Sequence, residues 1–287
     1  MNGSKIPHTS KDTSKEDVPP SSDQALYPYR TIGPLTHTHF TQPTTSYWQT
    51  IIPKSSLSSL PYRTEPPYQF SYPASLTGST ALLLPIRPLG TDTKSRAVAS
   101  LALPHASNTV VGELARIVAE KARPFHPDVV VGLPTGGLVI APFVAGYLGF
   151  GRKYTFHCRA MWSNSQIDRH VPFGYTRKPW FDDSLSLSIS CIFTEGTPPC
   201  IYLDPNLLEL VKGKRVLVVD DVISSGSTMK DTLKFLEGLE MNVVCVAVGM
   251  LQGSEWRKVL DEDTVKKIVS AIESPLLKAV KDGWVER

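Results

Sequence analysis

Short valine-rich runs alternate with helical segments through the second half of this chain. Asp128-Val129-Val130-Val131-Gly132-Leu133 reads as a strand that breaks at Pro134-Thr135-Gly136-Gly137, and an apolar helical segment follows from Leu138 to Leu148. Val171 to Tyr175 reads as another strand, and Arg215-Val216-Leu217-Val218-Val219-Asp220 as a further one. A loop of Ser and Gly then leads to a helix over Ser227 to Leu239 and a strand over Asn242 to Gly249. Unalternated apolar runs separated by helices are the mark of parallel strands covered on both faces. We therefore expect an α/β fold, a doubly wound and mostly parallel sheet, over residues 105–287. No internal repeat of fixed period competes with this reading.

The first part of the chain is built differently. Residues 1–45 hold ten apolar residues, about 22% of the segment, and their four basic and four acidic residues cancel. Such a stretch cannot bury enough apolar surface to offset chain entropy, so it reads as a disordered Ser/Thr/Pro-rich tail. Residues 46–104 read as a small β subdomain: Phe70 to Tyr72 and Ala81 to Ile86, joined through Leu76-Thr77-Gly78, suggest a hairpin, with Pro85 suggesting an edge strand. Asn108 to Ala122 has apolar residues at 110, 111, 114, 115, 117 and 118, a helical face that Asn108 is able to cap. Residues 154–170 show no clear period and read as an insertion loop; His157, Cys158 and His170 within it match no common zinc spacing.

Composition removes several classes of function. A formal charge of +3 on 287 residues is not the footprint of a nucleic-acid coat protein. The longest apolar stretch, Val243 to Leu251, is too short to span a bilayer and carries Gly249. The four cysteines form no Cys-x-x-Cys pair, and the N-terminus shows no secretory or mitochondrial character, so a reducing, cytoplasmic location is expected.

The chemistry concentrates at Val216 to Thr228. Four apolar residues form a strand, Asp220 and Asp221 stand at its carboxyl end, and Ser224-Ser225-Gly226-Ser227-Thr228 opens the next helix. Ligands of open α/β sheets bind outside the carboxyl ends of the strands. Small residues at a helix N-terminus present several N–H groups to an anion, favoured by the helix dipole. The acids would repel that anion, but a carboxylate is a strong acceptor for hydroxyls. An anion cradle beside two hydroxyl acceptors describes a ribose 5-phosphate.

This thirteen-residue stretch, 216 to 228, resembles the signature of the type I phosphoribosyltransferases, which bind phosphoribosyl pyrophosphate (PRPP). The resemblance implies that Asp220 and Asp221 hold the ribose 2- and 3-hydroxyls and that Ser224, Ser225, Gly226, Ser227 and Thr228 cradle the 5-phosphate. It implies Mg²⁺ as cofactor, carried by PRPP and bridging pyrophosphate and ribose oxygens with water completing its shell, so no all-protein metal cage is expected; the rival reading makes the two acids direct metal ligands. Leu133-Pro134-Thr135-Gly136-Gly137 lies where the family keeps its pyrophosphate loop, so Pro134, Thr135, Gly136 and Gly137 are assigned to that anion by resemblance. The chain looks closest to adenine phosphoribosyltransferases here, although those carry arginine where this sequence has Gly136. Arg177 and Lys178 match an Arg-Lys pair of those enzymes, ahead of a lid over residues 179–200, and would neutralise the departing pyrophosphate.

The activity so implied is transfer of the phosphoribosyl group to a nucleobase, a purine by pattern, in purine salvage. PRPP and the base are the expected partners, with a homodimer as in many relatives, and neither nucleic acid nor membrane. The residue that stacks on the base stays open among Phe70, Tyr72, Arg87 and Trp180, and the general base between Asp221 and Glu195. The competing expectation is a catalytically silent PRPP-binding regulator of the same fold. An ATP-binding P-loop is disfavoured because no Gly-x-x-x-x-Gly-Lys-Ser/Thr sequence occurs.

Overall fold

The computed structural model describes residues 39–41, 48–89, 95–150, 170–188 and 200–287. The chain divides into two units, Met1–His37 and Thr38–Arg287, and every described residue belongs to the second. In chain order, that unit opens with β1 (Thr50–Pro53), β2 (Ser71–Ser75), β3 (Thr80–Pro88) and β4 (Arg96–Ala99). Helix α1 (Asn108–Ala122), β5 (Val129–Gly132), α2 (Gly136–Phe150), β6 (His170–Gly174), β7 (Ser186–Ser188) and β8 (Cys200–Leu203) follow. Then come α3 (Leu208–Val211), β9 (Arg215–Ile223), α4 (Ser227–Gly238), β10 (Asn242–Gln252), α5 (Trp256–Val259) and α6 (Glu262–Lys266). The unit ends in β11 (Ile268–Ser274), β12 (Leu276–Val280) and β13 (Gly283–Glu286).

The larger sheet has the order β11-β10-β9-β5-β6-β8-β7. From β11 to β6 neighbours are parallel, while β6, β8 and β7 pair antiparallel at one edge. Its strands are buried on both faces, as their unalternated sequences require. On β9, Leu217 and Val219 pack with α1 and α2, whereas Val216 and Val218 pack on the other side with Met229 and Leu236 of α4. Helices on both faces make the sheet doubly wound. The salt bridge between Arg215 and Asp128, 2.9 Å, joins the entry ends of β9 and β5. The chain passes from β5 to β6 on one side and returns to β9 on the other, so the crevice between β5 and β9 is the topological switch point.

The smaller sheet runs β1-β3-β4-β12-β13, with β2 also on β3. Residues 276–286, read from sequence as part of the 105–287 domain, thus pair with N-terminal strands: Leu276 lies opposite Val98. Gln252, 4% exposed at the end of β10, donates its amide to the Ala99 carbonyl at 3.0 Å and ties the two sheets together. His39, Phe40 and Thr41, which composition assigned to the solvated tail, are also held. Phe70 N–H donates to the Phe40 carbonyl at 2.8 Å, and the indole of Trp284 to the His39 carbonyl at 2.9 Å. The rest of the segment 1–45 lies outside the described residues, as does the expected insertion over 154–170 except for His170, which is not loop but opens β6 opposite Val130.

Two local expectations are corrected. Pro85 does not mark an edge: β3 pairs with β1, β2 and β4. Ile86 N–H points to Phe70, so the proline nitrogen faces the opposite side, in the gap between the β1 ladder ending at Leu83 and the β4 ladder starting at Ile86. No donor is needed there. The cap of α1 is Ser107 rather than Asn108; its hydroxyl accepts from Val110 N–H at 3.3 Å while Asn108 is already helical. Among the described residues no helix is long and apolar enough to cross a membrane.

Candidate functional site

Strand β9 carries its acids further than the sequence suggested, continuing to Ile223. Asp221 N–H donates to Asp220 Oδ1 at 2.9 Å, and Val222 N–H donates to Asp221 Oδ1 at 2.8 Å, so each carboxylate is oriented by the next amide. Burial pushes the Asp221 carboxyl above the usual carboxylate range, against the opposing pull of the Val222 N–H and the neighbouring Asp220. Gly249 of β10 allows this strand end to sit close: a Cβ there would lie 2.9 Å from the Asp221 carbonyl oxygen.

The loop after β5 packs directly on these acids. Leu133 N–H donates to the Val219 carbonyl at 3.0 Å, and the loop then enters α2 at Gly136. A Cβ on Gly137 would stand 2.5 Å from the Val219 carbonyl oxygen and 2.9 Å from Asp220 Cα. A Cβ on Gly136 would fall on the Asp221 carboxylate. Two motifs far apart in sequence therefore meet with no room for a side chain between them. The first-turn amides of α2 have no partner within the helix and are N–H groups of the kind that can receive an anion.

On the other side of the acids, Gly226 has φ 85° and forms the N-cap of α4. Ser227 N–H donates to Ser225 Oγ at 3.3 Å, which shapes the turn. Behind it lies Trp256, 2% exposed, whose Cα would be 3.1 Å from a Cβ on residue 226. Gly226→Ala is accordingly strained twice, by a left-handed φ and by Trp256. We expect it to lower stability by about 1–2 kcal/mol, read as a fall in the urea midpoint.

The structure thus joins Asp220, Asp221, Pro134 to Gly137 and Ser224 to Thr228 at the β5–β9 switch point. Arg177 is directed elsewhere: its Nε donates to Asp183 Oδ1 at 2.8 Å and its Nη2 to the Phe181 carbonyl at 3.3 Å. The Asp183 carboxylate beside it raises its already high pKa. Lys178 is exposed in the same turn. From the same segment Tyr175 reaches the 134–137 loop, its hydroxyl donating to the Pro134 carbonyl at 2.9 Å.

Among the residues considered for the base, Phe70 is 7% exposed and edge-packed on Phe40 and Tyr62. Tyr72 instead lines a cleft of 360 Å³ with Leu251, Glu273, Pro275 and Glu286, at the carboxyl ends of β10 and β11. Burial, with Tyr68, Glu286 and Glu273 adding to it, pushes the Tyr72 phenol up to about 12. Arg87 sits on β3 opposite Val98. The indole of Trp180 donates to Asp204 at 3.2 Å. Glu195 and the lid residues 189–199 lie outside the described residues. Gly249 and Trp256 were missed from sequence, as was the contact of Tyr175 with Pro134; only Gly249 left a signal there, as a glycine inside an apolar strand.

A sequence model of the phosphoribosyl transferase domain matches residues 100–277. The chain belongs to that family. Its doubly wound sheet with a smaller sheet alongside is the type I phosphoribosyltransferase fold. A hypoxanthine/guanine phosphoribosyltransferase of Methanotorris igneus is 40% identical over 77 residues, 26% of this chain and 38% of that one. The transcriptional regulator GfcR of Methanocella arvoryzae is 50% identical over 38 residues, 13% of this chain and 18% of that one. Each match therefore spans less than half of the relative. Among solved structures, the adenine phosphoribosyltransferase of Rhodothermus marinus has 20% identity and a TM-score of 0.40, over 56% of this phosphoribosyl transferase chain and 76% of that chain.

Proposed function

We propose that this chain transfers the phosphoribosyl group of PRPP to a nitrogen of a purine, releasing pyrophosphate. The observation that carries the reading is the seating of Gly136 and Gly137 on Asp220 and Asp221, with the Ser224 to Thr228 turn on the other side. Hydroxyl acceptors thereby stand between two anion cradles, the order in which PRPP presents pyrophosphate, ribose and 5-phosphate. In this reading Asp220 and Asp221 accept the ribose hydroxyls, residues 224–228 hold the 5-phosphate, and residues 134–137 hold the pyrophosphate. The reaction passes through an oxocarbenium-like transition state, so the protein contributes positioning and charge neutralisation at the leaving group.

Two adjacent carboxylates, with no third acidic, His or Cys group converging on them among the described residues, suit a hard cation that keeps waters and arrives with substrate oxygens. Mg²⁺ carried in by PRPP, on pyrophosphate and ribose oxygens with water completing its shell, would neutralise charge developing on pyrophosphate beside Asp220 and Asp221. Arg177 and Lys178 would add to this once Arg177 leaves Asp183.

A PRPP-binding regulator is the second reading, favoured by Gly136 in place of arginine, by the engagement of Arg177 with Asp183 and by the match to a protein named as a transcriptional regulator. A pyrophosphate-release assay with PRPP, Mg²⁺ and a panel of purines and pyrimidines separates the two. Turnover with one purine supports the enzyme. PRPP binding by calorimetry with no turnover on any base supports the regulator, and absence of PRPP binding removes both.

A further inference from the structure

We infer that Tyr175 is a positioning residue that holds the 134–137 loop in its anion-binding shape and registers the Arg177 segment against it. The inference rests on the reading of residues 134–137 as the pyrophosphate loop. Strands β5 and β6 are parallel neighbours whose ladder ends at Gly132 opposite Pro172. Their loops leave the sheet side by side, and Tyr175, the first residue after β6, links them through its hydroxyl and the Pro134 carbonyl at 2.9 Å. The side chain is 44% exposed, so core burial is not its main contribution.

Two consequences follow from that one bond. A carbonyl oxygen at the mouth of a loop that receives a multiply charged anion is repulsive. An O–H donated to it lowers its effective negative charge and limits the directions it can point. The bond also sets where the next turn begins. Arg177, two residues on, is tied to Asp183 and Phe181, so the turn is anchored at Tyr175 on one side and at Asp183 on the other. An arginine swinging from Asp183 toward pyrophosphate would pivot on a fixed base.

Tyr175→Phe in the full chain removes a single oxygen. Calorimetric titrations with PRPP, Mg²⁺-pyrophosphate and ribose 5-phosphate read its effect. We expect affinity for PRPP and pyrophosphate to fall about fivefold to tenfold, the loss of one hydrogen bond near an anion, with ribose 5-phosphate unchanged. Tyr175→Ala, which removes the whole ring as well as the hydroxyl, should lose at least as much affinity for PRPP and pyrophosphate. Wild-type affinity for pyrophosphate in Tyr175→Phe, or an equal loss for all three ligands, overturns the inference. A wild-type chain that binds PRPP and ribose 5-phosphate keeps the functional reading independent of that outcome; one that binds neither overturns both.

Discussion

Replacing Asp220 and Asp221 together by Asn is expected to lower PRPP affinity by at least about a hundredfold. A hydrogen bond to a charged acceptor contributes about 1.5–3 kcal/mol, and each factor of ten in affinity is about 1.4 kcal/mol, so two such bonds suffice. The single change Asp221→Asn carries a second, opposite effect. Burial raises the Asp221 carboxyl above its ordinary value, so the folded chain disfavours the ionised form. That destabilisation is present above the raised pKa and fades as pH falls through it toward the unfolded value. Asp221→Asn should therefore raise the urea midpoint of the unliganded chain at neutral pH, with the gain shrinking toward acid. Affinity and stability moving in opposite directions is the pattern of a binding group held at a cost to the fold. Calorimetry with PRPP and urea titrations at several pH values read both, and unchanged PRPP affinity in the double variant would remove the central assignment.

Gly137→Ala should be among the most damaging single changes at the site. Its Cβ would meet the Val219 carbonyl at 2.5 Å and Asp220 Cα at 2.9 Å, both backbone atoms of a strand buried on two faces. Neither can yield cheaply, so the loop must lift from β9. A loss of about 2–4 kcal/mol in stability is expected, together with loss of measurable PRPP binding. Gly136→Ala is the instructive comparison. Its Cβ would fall on the Asp221 side chain, with Asp221 Cβ itself at 2.6 Å, so rotation of the carboxylate alone does not relieve the clash. Stability should fall here too, and PRPP affinity falls because Asp221 is displaced. A wild-type urea midpoint in either variant would contradict this packing.

Much of this arrangement was legible in the residue order. Val216 to Val219 read as a strand buried on both faces because no polar residue interrupts it, and all four are indeed buried. The Asp220-Asp221 pair followed by small residues read as hydroxyl acceptors beside an anion turn, and Gly226 does take the left-handed φ that such a turn demands. Pro134 to Gly137 read as a second anion loop from its place between strand and helix. The pairing of β12 with β4 was not legible, because a short strand carries no label for a partner far away in the chain. Neither was the turning of Arg177 to Asp183, since a basic pair looks the same in sequence whether it faces a ligand or its own loop.

The dividing line is the range of the interaction. Side-chain periodicity, caps and turn residues act over a few positions, so the sequence alone determined the alternation of strands and helices, the places of the two small-residue turns and the family. Which turns touch depends on strand order, and strand order is decided by how apolar faces pack across the whole unit. Only the tertiary structure could bring Gly136 against Asp221, set Trp256 behind Gly226 and join Tyr175 to Pro134. Those contacts link residues that no local rule connects, because burial rewards area and shape without regard to separation along the chain.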